Sequence, residues 1–187
     1  MWTENDRCEI ARRHRQLTDA YRTGDMAGVK AVLGWPESFP NTPQPMELAS
    51  GDWPLVTAIN LSPLRFVRQL LDLGADPNYA CQDGFPSLFV ALDSGRPDAD
   101  DILALLLRGG ADPNQRGIND WTALHHALAR RRLGAIRLLL AHGADPHLKT
   151  RIDDYTSALE DARASGFTEA VALMETRPTS SGHGRDV

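Results

Sequence analysis

The chain has 187 residues, a formal net charge of −5 and 42% hydrophobic residues. The acidic balance argues against the basic footprint of a nucleic-acid binder, and no run of about 18 apolar residues is available to cross a membrane. Two cysteines, Cys8 and Cys81, are too few for a disulfide framework in a chain of this size. A reducing compartment is therefore the simplest setting.

The N-terminus, Met1-Trp2-Thr3-Glu4-Asn5-Asp6, carries acids where a signal peptide carries bases, and no apolar stretch follows. The expected location is cytoplasmic. Ile10, His14, Leu17 and Tyr21 then fall on one face of a helix. Thr23-Gly24-Asp25-Met26 reads as a turn, and Val29, Val32 and Leu33 continue a second helix. Asn5 to Leu33 is thus expected to form a helix pair capping one end of an array. Trp35 to Ala49 contains Pro36, Pro40, Pro43 and Pro45. It reads as a long irregular connection, and proline lowers its unfolded-state entropy enough for it to lie ordered. Residues 1–49 form one unit in this division.

From residue 50 the chain repeats itself. Gly-Ala-Asp-Pro begins at Gly74, Gly110 and Gly143, each time after a leucine-rich run, at separations of 36 and 33 residues. A period near 33 means a stack of small helical units, none able to bury its apolar face alone. Four units follow from the alignment, at about 50–82, 83–118, 119–153 and 154–175, with a flexible polar tail over 176–187. Pro54 suits a first helical turn. Thr122 and Ser157 suit N-caps. Ala58, Ala91, Ala127 and Ala162 share one slot where helices approach closely, and the repeated glycines suit left-handed caps. Asp-Pro-Asn then turns the chain into a projecting finger. The second unit has three extra residues within Ser94 to Asp101, and the finger before the fourth is two residues longer, around Lys149 to Asp153.

These units resemble ankyrin repeats, whose signature runs Asp-Gly-x-Thr-Pro-Leu-His-x-Ala and ends Leu-Leu-x-x-Gly-Ala-Asp-x-Asn. Thr122-Ala123-Leu124-His125-His126-Ala127 carries the first half with Ala123 in place of proline, and the Gly-Ala-Asp segments carry the second. The resemblance spans Ser50 to Glu175. The whole chain is also similar to small stand-alone bacterial ankyrin proteins. The resemblance implies an all-α ankyrin repeat solenoid of helix-turn-helix units with β-turn fingers. It implies a non-enzymatic module that binds another protein through finger tips and first-helix surfaces on a concave face, and that is a monomer when free.

On that basis the candidate partner-binding residues are Gln82, Asp83 and Phe85 of the second finger, Arg116, Ile118, Asn119 and Trp121 of the third, and Asp153 and Asp154 of the fourth. Asp93, Ser94, Arg130 and His142 add a floor. Phe85 and Trp121 share one slot, so they read as an exposed apolar strip or as fingers packed on each other. Trp and Arg are the types enriched in interface hot spots. With no second domain in the sequence, the chain is expected to act by occupying or masking its partner, as an adaptor, inhibitor or antidote.

Other chemistry is thinly supported. His125 is implied by the resemblance to hydrogen-bond backbone between repeats. His126 stands where an apolar residue is usual. Together with His142 and His147 they offer a weak zinc pattern, and a small metal-dependent or hydrolytic enzyme built on His125 and His126 is the alternative. No Gly-rich phosphate loop or nucleophile elbow occurs, and no cofactor is expected. Arg12-Arg13-Arg15 and Arg130-Arg131-Arg132 offer a nucleic-acid alternative. The second cluster also suits a helix C-terminus, with Arg131 in a glycine slot. Asp93, Asp98, Asp100 and Asp101 lie in the neighbouring loop, so an internal charge ladder and a docking patch for an acidic partner both stay open.

Overall fold

In the computed structural model, which describes residues 4–34, 36–49, 51–79, 84–152 and 155–176, the repeat period becomes a double row of helices. An N-terminal pair, α1 (Glu4–Thr23) and α2 (Met26–Leu33), is followed by a short α3 (Met46–Ala49). Four pairs follow: α4 (Pro54–Leu61) with α5 (Leu64–Asp72), α6 (Ser87–Asp93) with α7 (Ala99–Arg108), α8 (Ala123–Ala129) with α9 (Leu133–Ala141), and α10 (Ala158–Ala164) with α11 (Thr168–Glu175). The first helices α4, α6, α8 and α10 pack in series, as do the second helices α5, α7, α9 and α11, and α1 packs on α4. The all-α solenoid expected from the repeats is the fold. Among the described residues the only β pairing is an isolated antiparallel bridge between Lys149 and Ser157.

The sequence pattern explains the rows. Ala58, Ala91, Ala127 and Ala162 are fully buried, each letting a first helix seat against its neighbours. In α7 every residue from Ile102 to Leu107 is buried, as befits a helix flanked on several sides. Gly74, Gly110 and Gly143 take φ of 89°, 94° and 100°. Only glycine enters that left-handed region without a Cβ penalty, so these positions end the second helices.

A side-chain ladder then ties the repeats along this edge. Asn78 Nδ2 donates to the Gly110 carbonyl at 2.8 Å, and the Asp112 N–H donates to Asn78 Oδ1 at 2.7 Å. Asn114 does the same to Gly143 and Asp145, at 3.1 and 2.8 Å. Asn41 does the same to Gly74 and Asp76, at 2.7 and 2.8 Å. The proline-rich connection is therefore not wholly irregular. It contains α3, and its Asn41 performs the job of a repeat finger. Gln44, buried in the same segment, accepts from the Tyr21 hydroxyl at 2.9 Å and donates to Thr57 Oγ1 at 2.8 Å. Buried polar groups without partners cost stability, so a fully bonded Gln44 fixes the segment's path.

Candidate functional site

The fingers are the segments that lead into the first helices, and one backbone feature recurs in all four. Three residues before the starts of α4, α6, α8 and α10 stand Gly51, Gly84, Asp120 and Tyr155, with φ of 73°, 78°, 58° and 53°. The slot demands a left-handed residue. Glycine meets the demand in the first two repeats, and residues bearing a Cβ meet it under strain in the last two. Asn119, at φ 56°, extends the strained stretch in the third finger.

Asp120 is almost fully buried and is the centre of the third finger. Arg116 Nη1 donates to Oδ2 at 2.5 Å, the Arg151 backbone N–H to Oδ2 at 2.7 Å, and Arg151 Nη2 to Oδ1 at 2.6 Å. Arg116 Nη2 also reaches the Lys149 carbonyl at 2.9 Å. One carboxylate thus holds fingers three and four side by side. The Arg151 guanidinium and backbone N–H, with Arg116 beside them, hold its pKa down to about 2 against the opposing effect of burial. Fingers two and three are joined by backbone: the Ile118 N–H donates to the Gly84 carbonyl at 2.7 Å. A Cβ on Gly117 would stand 2.6 Å from that same carbonyl, so the close approach needs glycine.

Behind the fingers lie two histidines, His125 and His126. The Thr122 N–H donates to His125 Nδ1 at 3.2 Å, which puts the ring proton on Nε2, facing the Thr156 carbonyl at 3.4 Å. His126 stacks on Phe89 with centroids 4.4 Å apart and donates from Nε2 to Asp93 Oδ1 at 3.0 Å. Arg130 Nε meets the same oxygen at 2.5 Å. Burial pushes the pKa of both histidines down, against the pull of Thr156 and Asp161 on His125 and of Asp93 on His126. Both are therefore neutral packing and bridging groups. Among the described residues no three His, Cys, Asp or Glu side chains are grouped to hold a metal.

The internal charge ladder is present. Asp93 pairs with Arg130, Asp100 with Arg132 at 2.5 Å, and Arg132 Nη1 caps the Leu92 carbonyl at 3.0 Å. Arg131, with φ 52° in its glycine slot, lies over the Phe167 ring at 4.3 Å. The enlarged loop of the second repeat has its own work. Arg96 pairs with Asp98 and donates to the Ile59 and Ser62 carbonyls, at 3.3 and 2.5 Å, clamping the end of α4.

The candidate residues separate into groups. Arg116, Ile118, Asn119 and Trp121 gather on the third finger, and Asp93, Ser94 and Arg130 on the adjoining helix ends. Phe85 and Trp121 are half-buried, not a free strip. Phe85 lies edge-on to Phe89, and Trp121 leans on His125 and His126 at 6.5 and 6.2 Å. Those two histidines and Phe89 make a shelf that the finger aromatics fill. His142 does not join the floor; it follows α9 in the second row and bonds the Leu138 carbonyl. Gln82, Asp83, Asp153, Asp154 and Cys81 lie outside the described residues, as does the tail beyond Thr176.

Exposed large apolar side chains occur instead at Ile118, Ile152 and Tyr155, on fingers three and four, and at Met46 and Leu73 elsewhere. Asp120, Arg151, Ile152 and Tyr155 escaped the sequence argument. The signal for Asp120 and Tyr155 was their register with Gly84, three residues ahead of the helix. Depressions of 530 and 510 Å³ lie at the N-terminal end, lined by residues such as Arg13 and Gln16, or Ile10 and His14. None of the candidate partner-binding residues lines them.

The family profile for ankyrin repeats (3 copies) matches residues 64–150 and 98–176. The chain belongs to the ankyrin repeat family. Similar proteins include a probable E3 ubiquitin-protein ligase of Oryza sativa subsp. japonica, XBOS34, 35% identical over 59% of this chain and 21% of its own length. An ankyrin repeat-containing protein of Treponema pallidum (strain Nichols) is 39% identical over 45% of this chain and 28% of its own. The ankyrin repeat and KH domain-containing protein mask-1 of Caenorhabditis elegans is 27% identical over 84% of this chain and 6% of its own. The chain thus spans less than a third of the length of each of these relatives. Ankyrin repeats are protein–protein interaction modules, and the repeat domain itself is typically non-catalytic.

Proposed function

We propose that this chain binds one partner protein through its finger tips and the adjoining first-helix ends, acting in the cytoplasm as an adaptor, inhibitor or antidote, and that it is a monomer when free. The observation that carries this reading is the pair of fingers three and four. Asp120 ties them into one body, and that body holds Ile118, Ile152 and Tyr155 out to solvent. A rigid surface loses little entropy on binding, so more of its contact energy becomes affinity. Exposed apolar side chains on such a surface mark a contact site.

The arginines favour a protein over a nucleic acid as partner. Arg12, Arg130 and Arg132 are each paired with a carboxylate, and Arg13 with the Val32 carbonyl. Phosphate-neutralising cations would instead stand free. Co-purification from the source cells tests the reading. A stoichiometric partner is expected with the native chain, and Ile118→Ser combined with Arg130→Ala should weaken its capture at least tenfold. Undiminished recovery by that variant refutes the proposed surface.

A further inference from the structure

His126 lies where repeats two and three meet. It occupies a slot where an apolar side chain is usual, and it is buried. Phe89 of α6 covers one face of the ring at a centroid distance of 4.4 Å and an interplanar angle of 16°, and Trp121 meets it edge-on at 6.2 Å. A leucine would fill such a slot. The imidazole instead turns both of its nitrogens to charged neighbours.

Nε2 faces a carboxylate oxygen, Asp93 Oδ1, at 3.0 Å, so it is the nitrogen that carries the proton and donates. Nδ1 therefore holds the lone pair, and it faces Arg130 Nη1 at 3.5 Å. Arg130 Nε meets the same Asp93 oxygen at 2.5 Å. In this tautomer all three groups complement one another. A second proton, taken from solvent onto Nδ1, breaks the arrangement. The Nε2–H bond to Asp93 persists, but the new Nδ1–H points at a guanidinium, which offers donors only. A buried donor without an acceptor is costly, and the two cations repel. Burial is the main effect that keeps the ring neutral; Asp93 opposes it and Arg130 adds to it.

Only one of the three groups has room to move. The Arg130 side chain is 40% exposed, against 5% for His126 and 27% for Asp93. The other charges nearby are engaged elsewhere. Arg132, ahead of α9, holds the Leu92 carbonyl and Asp100, and Arg116 of the third finger holds Asp120. Asp161 of α10 and Asp120 act on the neighbouring His125.

We propose that His126 is an acid-operated latch on Arg130. Neutral, it holds the guanidinium between its Nδ1 and Asp93; protonated, it keeps Asp93 for itself and releases Arg130 to solvent. The charge beside the third finger thereby changes with pH, from a neutralised Asp93–Arg130 pair to a free cation, with no unfolding. The latch is built from the chain's own residues, so it stands whatever the chain binds.

An NMR titration of the full chain from about pH 7.5 to about pH 5, the range in which histidine changes charge, tests it. Far-UV circular dichroism follows the fold in parallel. The His126 ring, assigned by its loss in His126→Gln, is expected to take up its proton in one step while the dichroism stays native. In that step the solvent protection of the Arg130 Nε–H, measured relative to the exposed Arg137, should fall at least about tenfold, as for a local opening. In His126→Gln the same ratio should stay constant across the range. Arg130→Met removes the cation that faces Nδ1 and should raise the His126 midpoint by about half a pH unit or more. Protection of Arg130 that survives the His126 step, or a fall that persists in His126→Gln, would overturn the proposal. So would a midpoint unmoved or lowered in Arg130→Met, or a ring that takes up its proton only as the chain unfolds.

Discussion

The turn entering α8 and the turn entering α10 share one backbone shape and differ in what their left-handed residue does. Asp120 is buried and accepts from two guanidinium groups and a backbone N–H. Tyr155 is exposed and bonded to nothing described. The same left-handed conformation is accompanied once by a network that joins two fingers and once, among the described residues, by no side-chain hydrogen bond or ring contact. Backbone strain alone therefore does not mark function here.

The contrast can be broken most forcefully at Asp120. Asp120→Gly relieves the φ constraint yet removes the carboxylate that Arg116 and Arg151 share. Charge-assisted hydrogen bonds contribute about 1.5–3 kcal/mol, so urea denaturation should show a net loss of about 2 kcal/mol. A neutral or stabilising result would mean that the network does not hold the fingers. The next largest effect belongs to Gly84, where the slot is still glycine. A Cβ there would sit 3.1 Å from the Ile118 nitrogen at φ 78°. Gly84→Ala should cost about 1–2 kcal/mol, and a loss below a few tenths would show that the second finger gives way easily. Tyr155→Gly should go the other way, gaining about 0.5–1 kcal/mol.

The gentlest test is pH. Burial lowers the pKa of His125 and His126 below the ordinary value of 6.5. As pH falls through 6.5 the unfolded chain takes up protons that the folded chain refuses, so stability declines. The slope per histidine stays below the about 1.4 kcal/mol per pH unit that one whole proton gives. Asp120, held down to about 2, adds a second decline. Its stabilisation is present above about pH 4, where an unfolded aspartate titrates, and is lost between there and about 2. His126→Gln should flatten the first decline and leave the second; an unchanged profile near pH 6 would remove His126 from the account.

The repeat skeleton was legible because its signals are local. Gly110 ends a helix, Ala127 seats one, and Ser157 caps one whatever partner lies beyond. The Glu160 carboxylate that completes the Ser157 cap accepts its N–H at 2.8 Å, three residues on. Features that depend on two repeats at once were not legible. Asn41 works as a finger residue although no Gly-Ala-Asp precedes it, because what it bonds is Gly74 and Asp76 in the next unit. Asp120 carried no signal of its own, since its partner Arg151 lies in another finger. Phe85 and Trp121 were expected to form an exposed strip or to pack finger on finger. They are half-buried because His125, His126 and Phe89 offer aromatic faces that a hydropathy pattern does not reveal. For the arginine cluster the sequence left an internal ladder and a docking patch open, and the structure forms the ladder, with Asp93 on Arg130 and Asp100 on Arg132.

The central claim is that fingers three and four form the contact surface. Amide hydrogen exchange with and without the co-purified partner tests it most directly. Protection is predicted to gather on 116–121 and 149–157 and to leave the second-row helices α7, α9 and α11 unchanged. Protection confined to that second row, with the fingers exchanging as they do alone, would contradict the account.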